Sequence, residues 1–431
     1  LPQKGLDETE VQISVDASDL TENKDFTVDR TNGTINFAAG TASHGAPSVG
    51  TNNVWITAFK TIDGNKNKIT NCTIGIPFGG EKSLMGGTRF FVMGNPSYPY
   101  TYWYSDLVTG HGMAYFPDTN FEHIAQNNEP ITAAAKMGGD LIIFKQHSIF
   151  ALGYATDGID AFYPVRQCHS AIGCDIPNSV QLIDNRLVFG NTQTGVHALI
   201  GTSNQLETNV KPLSANINEL LFRETNLKNA ISVDYGQYYF LCVNGRAYLW
   251  DYGAAPFYSY SDYDKAQRRL AWYRWDNINA TCFFSNTDLY YGSANGIVKF
   301  IPAKNDFNSA ITAYFKTKAF DLGVPHILKT FTRVYPSFAS DANIDTTISV
   351  ENEEDSLYRF KTYDIKSFNW ATFNWVVFSW NGIKYSQPKA FRLKMKKKKY
   401  IQIKAESTEL NRGLGLVGLR ISYFPLRPIK R

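Results

Sequence analysis

No apolar run in the chain approaches the roughly 18 to 20 residues that a membrane helix requires, and the N-terminus has no signal-peptide apolar core. The expectation is a soluble protein with no membrane span, and because the chain begins at Leu1 without an initiating Met, its native start is expected upstream. Cysteine is scarce and odd in number: Cys72, Cys168, Cys174, Cys242 and Cys282 are scattered through a chain long enough to build its own core. They imply no disulfide framework and point to folding in a reduced cytoplasm. Neither sign of charge dominates. Forty-three Lys and Arg against 39 Asp and Glu leave +4, with a pI near 8.6, too mild for a nucleic-acid signature unless a patch concentrates it.

Motifs of several enzyme classes are also missing. There is no Gly-x-x-x-x-Gly-Lys-Ser/Thr phosphate loop, no Gly-x-Ser-x-Gly nucleophile elbow and no Ser-x-Asp-x-Gly-x-Thr-Trp blade motif of the sialidase kind. What the chain has in quantity is aromatic residues, with 25 Tyr, 29 Phe and 8 Trp. These suit half-buried pleated surfaces better than long helices, so strands are expected throughout. At 431 residues, two or three domains are expected.

Internal repetition organises the middle of the chain. Four segments follow one pattern of strand, polar turn, strand, turn and strand: Ile131 to Tyr154, Ser179 to Gly201, Ala230 to Tyr252 and Ala280 to Ile301. Their first-turn residues Gly138, Asp184, Gly236 and Asn286 are 46, 52 and 50 residues apart. A propeller blade of four strands needs about 40 to 50 residues, and a sandwich has no reason to keep such a period. Two upstream candidates, Val54 to Pro77 and Arg89 to Ser105, bring the expectation to five or six blades.

The expected fold is therefore all-β, with a β-propeller over residues 51–305. A small β domain or inserted segment occupies 1–50, with strands at Val11 to Val15, Phe26 to Val28 and Thr34 to Ala38. Past Pro302 the repeat stops, and sandwich-like strands define a C-terminal domain over 306–431, near Ala310 to Thr317, Thr330 to Pro336, Asp345 to Val350, Ala390 to Met395, Tyr400 to Ala405 and Val417 to Tyr423.

Each candidate site has a plainer reading beside it. Cys168, His169 and Cys174 are zinc-ligand types, but their spacing is not Cys-x2-Cys and no second pair follows, so buried blade residues are favoured. Glu353, Glu354 and Asp355 form a polar turn without a partner and read as a solvated loop. Gly413, Gly415 and Gly418 match Gly-x-Gly-x-x-Gly but run into a strand, which opposes a dinucleotide site, and Gly79, Gly80, Gly86 and Gly87 read as loop punctuation.

Lys394 and Lys396 to Lys399 form the dense basic feature. Alternation of Phe391, Leu393 and Met395 with Arg392, Lys394 and Lys396, followed by Ile401 and Ile403, predicts a hairpin with lysines at its tip and solvent face. Solubility and edge protection are favoured there over a binding patch for DNA or an acidic protein. Trp272, Tyr273, Arg274 and Trp275 read as blade packing with a possible cation–π stack, and Tyr98, Tyr100, Tyr102 and Trp103 as candidate surface aromatics. Asn71-Cys72-Thr73 and Asn279-Ala280-Thr281 fit the glycosylation pattern and are given no meaning. No catalytic, cofactor or metal residue is assigned.

Arg89 to Leu107, Tyr115 to Asp118, Gly139 to Leu152, Ile172 to Ser179, Asp184 to Phe189 and Gly195 to Leu199, in that order, resemble the propeller of bacteriophage tail nozzle proteins, also called tail stabilisation or tail-hub proteins. The resemblance covers about residues 85–300. It implies a structural virion protein without enzymatic activity or cofactor, made in the host bacterial cytoplasm. Six copies would form a ring at the distal tail that extends and closes the DNA exit channel. Its partners would be portal-adaptor and other tail proteins, tail fibres, and DNA passing through without sequence recognition. The alternative is a tail-tip propeller that binds a receptor or carbohydrate.

Overall fold

The marker residues of the repeat occupy hairpin turns, and for three of the four, Gly138, Asp184 and Gly236, the backbone shows why. Asp184 and Asn185 have φ of 47° and 59°, Gly236 and Gln237 60° and 69°, and Gly138 61°. Two-residue hairpin loops need this left-handed conformation to match the twist of the flanking strands. In a computed structural model of the chain, describing residues 1–16, 18–37, 47, 50–61, 63–79, 88–107, 114–124, 128–156, 161–202, 207–253, 270–301, 303–338, 344–365 and 390–426, these turns organise a run of antiparallel sheets. The protein is all-β: among the described residues 54% are strand against 4% helix.

Two compact units divide the chain, Leu1–Phe300 and Ile301–Arg431. The first contains five sheets in series. Sheet A comprises Ile74–Phe78, Arg89–Asn95, Tyr98–Tyr104 and Phe121–His123; sheet B, Ile131–Met137, Asp140–Lys145, Ile149–Leu152 and Val165–His169. Sheet C comprises Ile176–Ile183, Arg186–Asn191, Gly195–Leu199 and Val210–Pro212; sheet D, Ile231–Tyr235, Tyr238–Val243, Arg246–Asp251 and Ala271–Asp276. Sheet E has Cys282–Ser285, Leu289–Ser293 and Gly296–Lys299. First strands of successive sheets lie side by side, tied by Gln181 Nε2 donating to Ser232 O at 3.2 Å and Ser232 Oγ to Asn178 O at 2.8 Å.

Alternation in the second strands separates two cores rather than core from solvent. Leu141 and Ile143 enter the core shared with sheet A, while Ile142 and Phe144 enter the one shared with sheet C. Tyr239, Leu241 and Val243 likewise face sheet C, whereas Phe240 and Cys242 face sheet E. Burial on both faces explains the unbroken apolar runs LIIF and YYFLCV.

A second periodic position ends the second strand of every sheet: Asn95, Lys145, Asn191, Val243 and Ser293, separated by 50, 46, 52 and 50 residues. Asn95 and Asn191 do the same work. Each accepts from its hairpin turn, from Ser97 N at 2.9 Å and from Gln193 N at 2.9 Å, and donates to carbonyls of the preceding segment. The asparagine side chain suits this position because its amide satisfies backbone donor and acceptor at once.

Val54 to Pro77 is not a blade. Val54–Thr57 pairs with Gln12–Val15 in the N-terminal sheet, a short helix occupies Asp63–Thr70, and Ile74–Phe78 opens sheet A. The N-terminal sheet thus runs beyond residue 50 to Thr57, over a core of Val11, Ile13, Val15, Leu20 and Phe26.

In the second unit, sheet F orders Ala313–Lys316, Gln402–Ser407, Ile344–Glu351 and Arg359–Ile365; sheet G orders Phe391–Lys398, Lys329–Phe338 and Leu416–Pro425. Their inner faces share one core, including Phe331, Val334, Leu393 and Met395 from G with Ile348, Val350 and Ile403 from F. The lysine-rich segment is therefore not a hairpin. Its two strands belong to different sheets, and the chain crosses between layers at Lys399 and Tyr400: Phe391–Lys398 pairs with Lys329–Phe338 in sheet G, while both edges of Gln402–Ser407 are taken in sheet F by Ala313–Lys316 and Ile344–Glu351.

Candidate functional site

Carboxylate pairing separates two sets of arginines. In the first unit Arg30, Arg89, Arg166, Arg223, Arg246 and Arg274 each pair with a carboxylate. In the second, Arg333, Arg359, Arg392 and Arg420 have no carboxylate partner among the described residues. The units also differ in total charge. Residues 301–431 hold 22 Lys and Arg against 11 Asp and Glu, a net +11, while residues 1–300 hold 21 against 28, a net −7. The modest +4 of the chain is the sum of two strongly opposed halves.

Sheet topology gathers the unpaired cations on the outer face of sheet G. Arg333 and Arg392 are cross-strand partners, as are Tyr335 and Arg420, and Lys394 and Lys396 continue the exposed row from Arg392. Phe391, Leu393 and Met395 point the other way into the core, which forces the intervening cations outward. Arg359, from the edge of sheet F, donates to Arg392 O at 2.7 Å and places another guanidinium beside the row. Arg333 Nη1 donates to the Tyr335 hydroxyl at 3.3 Å, and that bond together with the nearby Arg420 charge holds the Tyr335 phenol below its ordinary value. A bulge interrupts the pairing between Phe331/Met395 and Arg333/Arg392, where Lys394 takes φ of 103°. Like charges directly across a strand pair destabilise a sheet, so the Arg333–Arg392 pairing carries a cost within the isolated unit.

The lysine run divides by role. Lys398 is buried and pairs with Glu354, while Glu353 accepts from Lys399 N at 2.8 Å. The Glu353–Glu354–Asp355 turn, expected to lack a partner, clamps the crossover between the sheets. Asn352 shapes that turn by accepting from Glu354 N at 2.8 Å and Asp355 N at 3.0 Å.

Cys168, His169 and Cys174 are buried where sheets B and C meet. Burial pushes the Cys168 thiol up to about 11 and the Cys174 thiol up to about 12, while His169 Nδ1 accepts from Ala171 N and Ile172 N. Among the described residues no group of three or more His, Cys, Asp or Glu is placed to hold a metal ion. All five cysteines are free thiols.

Nearby His197 lies buried, its ring stacked 5.8 Å from Phe189 and its Nε2 2.9 Å from Thr194 Oγ1. Burial, with His169 beside it, lowers His197 to about 4. The unfolded chain takes up this proton below about pH 6.5, but the fold resists it until about pH 4. Stability from this residue is therefore complete above pH ~6.5 and lost as pH falls toward ~4, by about 3 kcal/mol. Urea denaturation at pH ~7 and pH ~4 is expected to show an acid loss of stability smaller by about 3 kcal/mol for His197→Phe than for wild type; an equal acid loss in both proteins refutes the assignment.

Of the aromatic candidates, Tyr102 and Trp103 are buried and only Tyr98 is well exposed; Tyr102 faces the core with sheet B. Alternation failed as a guide here because sheet A is covered on both sides of this strand. Trp272 donates from Nε1 to Leu213 O at 2.9 Å and packs on the core between sheets C and D, whereas Tyr273 and Trp275 are about half exposed. Gly418 lies within the strand Leu416–Pro425, and Gly79 sits at the end of sheet A with φ of 95°; Gly80, Gly86 and Gly87 fall outside the described residues. An open groove of about 570 Å³ crosses the outward face of sheet E between Phe284, Tyr290 and Ile297, with Phe284 65% and Ile297 83% exposed.

No family model matches the chain, and no curated protein matches it. Among solved structures, one match is PorZ, an essential bacterial surface component of the type-IX secretion system of Porphyromonas gingivalis, at 12% identity and a TM-score of 0.30. The match covers 64% of this chain and 32% of PorZ, and a likeness of that size carries no argument about function.

Proposed function

We propose that the chain is a structural virion protein, a phage tail nozzle subunit whose sheets A to E are blades of a β-propeller and whose C-terminal unit is a β-sandwich. The observation that supports this reading is the serial stacking of sheets A to E, each neighbouring pair enclosing its own apolar core. A blade series must bury both faces of its inner sheets, and the outward face of its last sheet stays apolar until the ring closes. The outward face of sheet E, with Phe284 and Ile297, has that character. In this reading the molecule has no chemistry of its own. Rigid subunits joined head to tail close into a cyclic ring, here a hexamer around the DNA exit channel.

Mass measurement and electron microscopy of the purified full chain test the reading, together with antibody labelling of phage particles. Six-fold rings and label at the distal tail are expected. A protein that stays monomeric at high concentration and is absent from particles overturns it.

A further inference from the structure

We propose that the outer face of sheet G is a docking surface for nucleic acid, gripping the phosphodiester backbone through Arg333, Arg392 and Arg420 with Lys394 and Lys396 beside them. This inference stands apart from the tail-subunit reading, since it rests on the charge and register of one sheet.

Three observations carry it. First, the cations are concentrated without neutralisation: none of these five has a carboxylate partner among the described residues, whereas the arginines named in the first unit all do. Charge kept for solubility alone would be interspersed with acids, as it is elsewhere on this chain. Second, the pairing register sets Arg333 against Arg392 and Tyr335 against Arg420, so the positive groups form a contiguous field across all three strands. Repulsion within that field is relieved when an anion with regularly spaced charges lies across it. Third, the face also carries flat and hydroxyl groups suited to a nucleotide chain. Tyr335 stands among the arginines, and Phe424, 65% exposed, follows Arg420 and Ser422 on the same side of the edge strand. Arginine prefers phosphate because its planar fork donates two bonds at once, and exposed aromatic rings stack with bases whatever their sequence. Nothing in this arrangement reads base edges, so binding is expected to be insensitive to sequence.

An acidic protein surface is the competing occupant, and the test separates the two. Binding of a short fluorescein-labelled DNA duplex to the full chain is followed by anisotropy over a salt series, for wild type and for the triple variant Arg333→Gln, Arg392→Gln, Arg420→Gln. Each lost phosphate contact lowers the slope of log affinity against log salt by about 0.9. The triple variant is expected to lose roughly a hundredfold in affinity at ~0.1 M salt, with a slope smaller by about three. Arg223→Gln, on the first unit and engaged with Glu219, is expected to change neither. If the triple variant loses its melting transition, Lys394→Gln with Lys396→Gln decides the question through a slope change of about two. Failure of wild type to bind the duplex, unchanged binding by the variants, or poly-glutamate competing as well as DNA at equal charge each overturns the proposal.

Discussion

Replacing Gly173 by alanine is expected to cost about 3 kcal/mol or more and to leave little soluble protein, because the added methyl has nowhere to go. A Cβ at this position would stand 2.0 Å from the carbonyl oxygen of Lys145 and 2.8 Å from both the nitrogen and the oxygen of Ser148. All three are backbone atoms, so no side chain can swing aside. The same backbone is held from other directions: Cys174 N donates to Lys145 O at 2.8 Å, and Asn191 Nδ2 bridges Gly173 O and Gln146 O at 3.0 Å each. Relieving the overlap would pull apart the second hairpins of sheets B and C at the point where they are bonded. Gly139→Ala is the control, since a Cβ there meets nothing within 4 Å, and a change within ~0.5 kcal/mol is expected. Urea denaturation of both variants measures the difference. Equal midpoints would remove the close approach at Gly173 from the account of how these sheets are joined.

Lys329→Met should destabilise the C-terminal unit by roughly 3 to 5 kcal/mol, although methionine matches much of the lysine volume. Lys329 is fully buried, and its ammonium donates to Val324 O at 2.7 Å, Ile327 O at 2.9 Å and Lys399 O at 3.0 Å. Truncating the donor leaves three carbonyls without the group that satisfies them, and an unpaired buried acceptor costs more than the bond itself contributes. Those carbonyls belong to the loop before sheet G and to the crossover from sheet G to sheet F, so the lysine joins chain segments 70 residues apart. Thermal melting of the full chain, with the transition of the second unit followed by limited proteolysis, reads the effect. A melting profile like that of wild type would show that the three carbonyls find other donors at no cost.

Much of the architecture was legible because it depends on local chemistry. Gly138, Asp184 and Gly236 announced their turns through residue types that tolerate positive φ, and the period they marked recurs in the second-strand termini from Asn95 to Ser293. Strand positions in the C-terminal half followed from alternation, as at Phe391, Leu393 and Met395. The strand Arg359–Ile365 escaped detection because its sequence, RFKTYDI, lacks a clean apolar face at the edge of sheet F. Val54 was misplaced into a blade for a related reason: a short apolar strand carries no label for its partner, and Gln12–Val15 is chosen by tertiary pairing.

The candidate site was only half visible. The basic run could be seen, and comparing the charge of residues 1–300 with that of 301–431 would have marked its unit. Arg333 and Arg420 lie far from the run in sequence and join it through strand order alone. By itself, then, the sequence determined the all-β character, the turns and the period near 50 residues, because turn stereochemistry and side-chain alternation act over a few neighbouring residues. Only the tertiary structure decided that Glu353 and Glu354 clamp a crossover, that Tyr102 and Trp103 are buried, and that arginines from three strands share one unneutralised face. Those outcomes depend on which strands become neighbours, a choice made by the summed burial of whole sheets and written in no single segment.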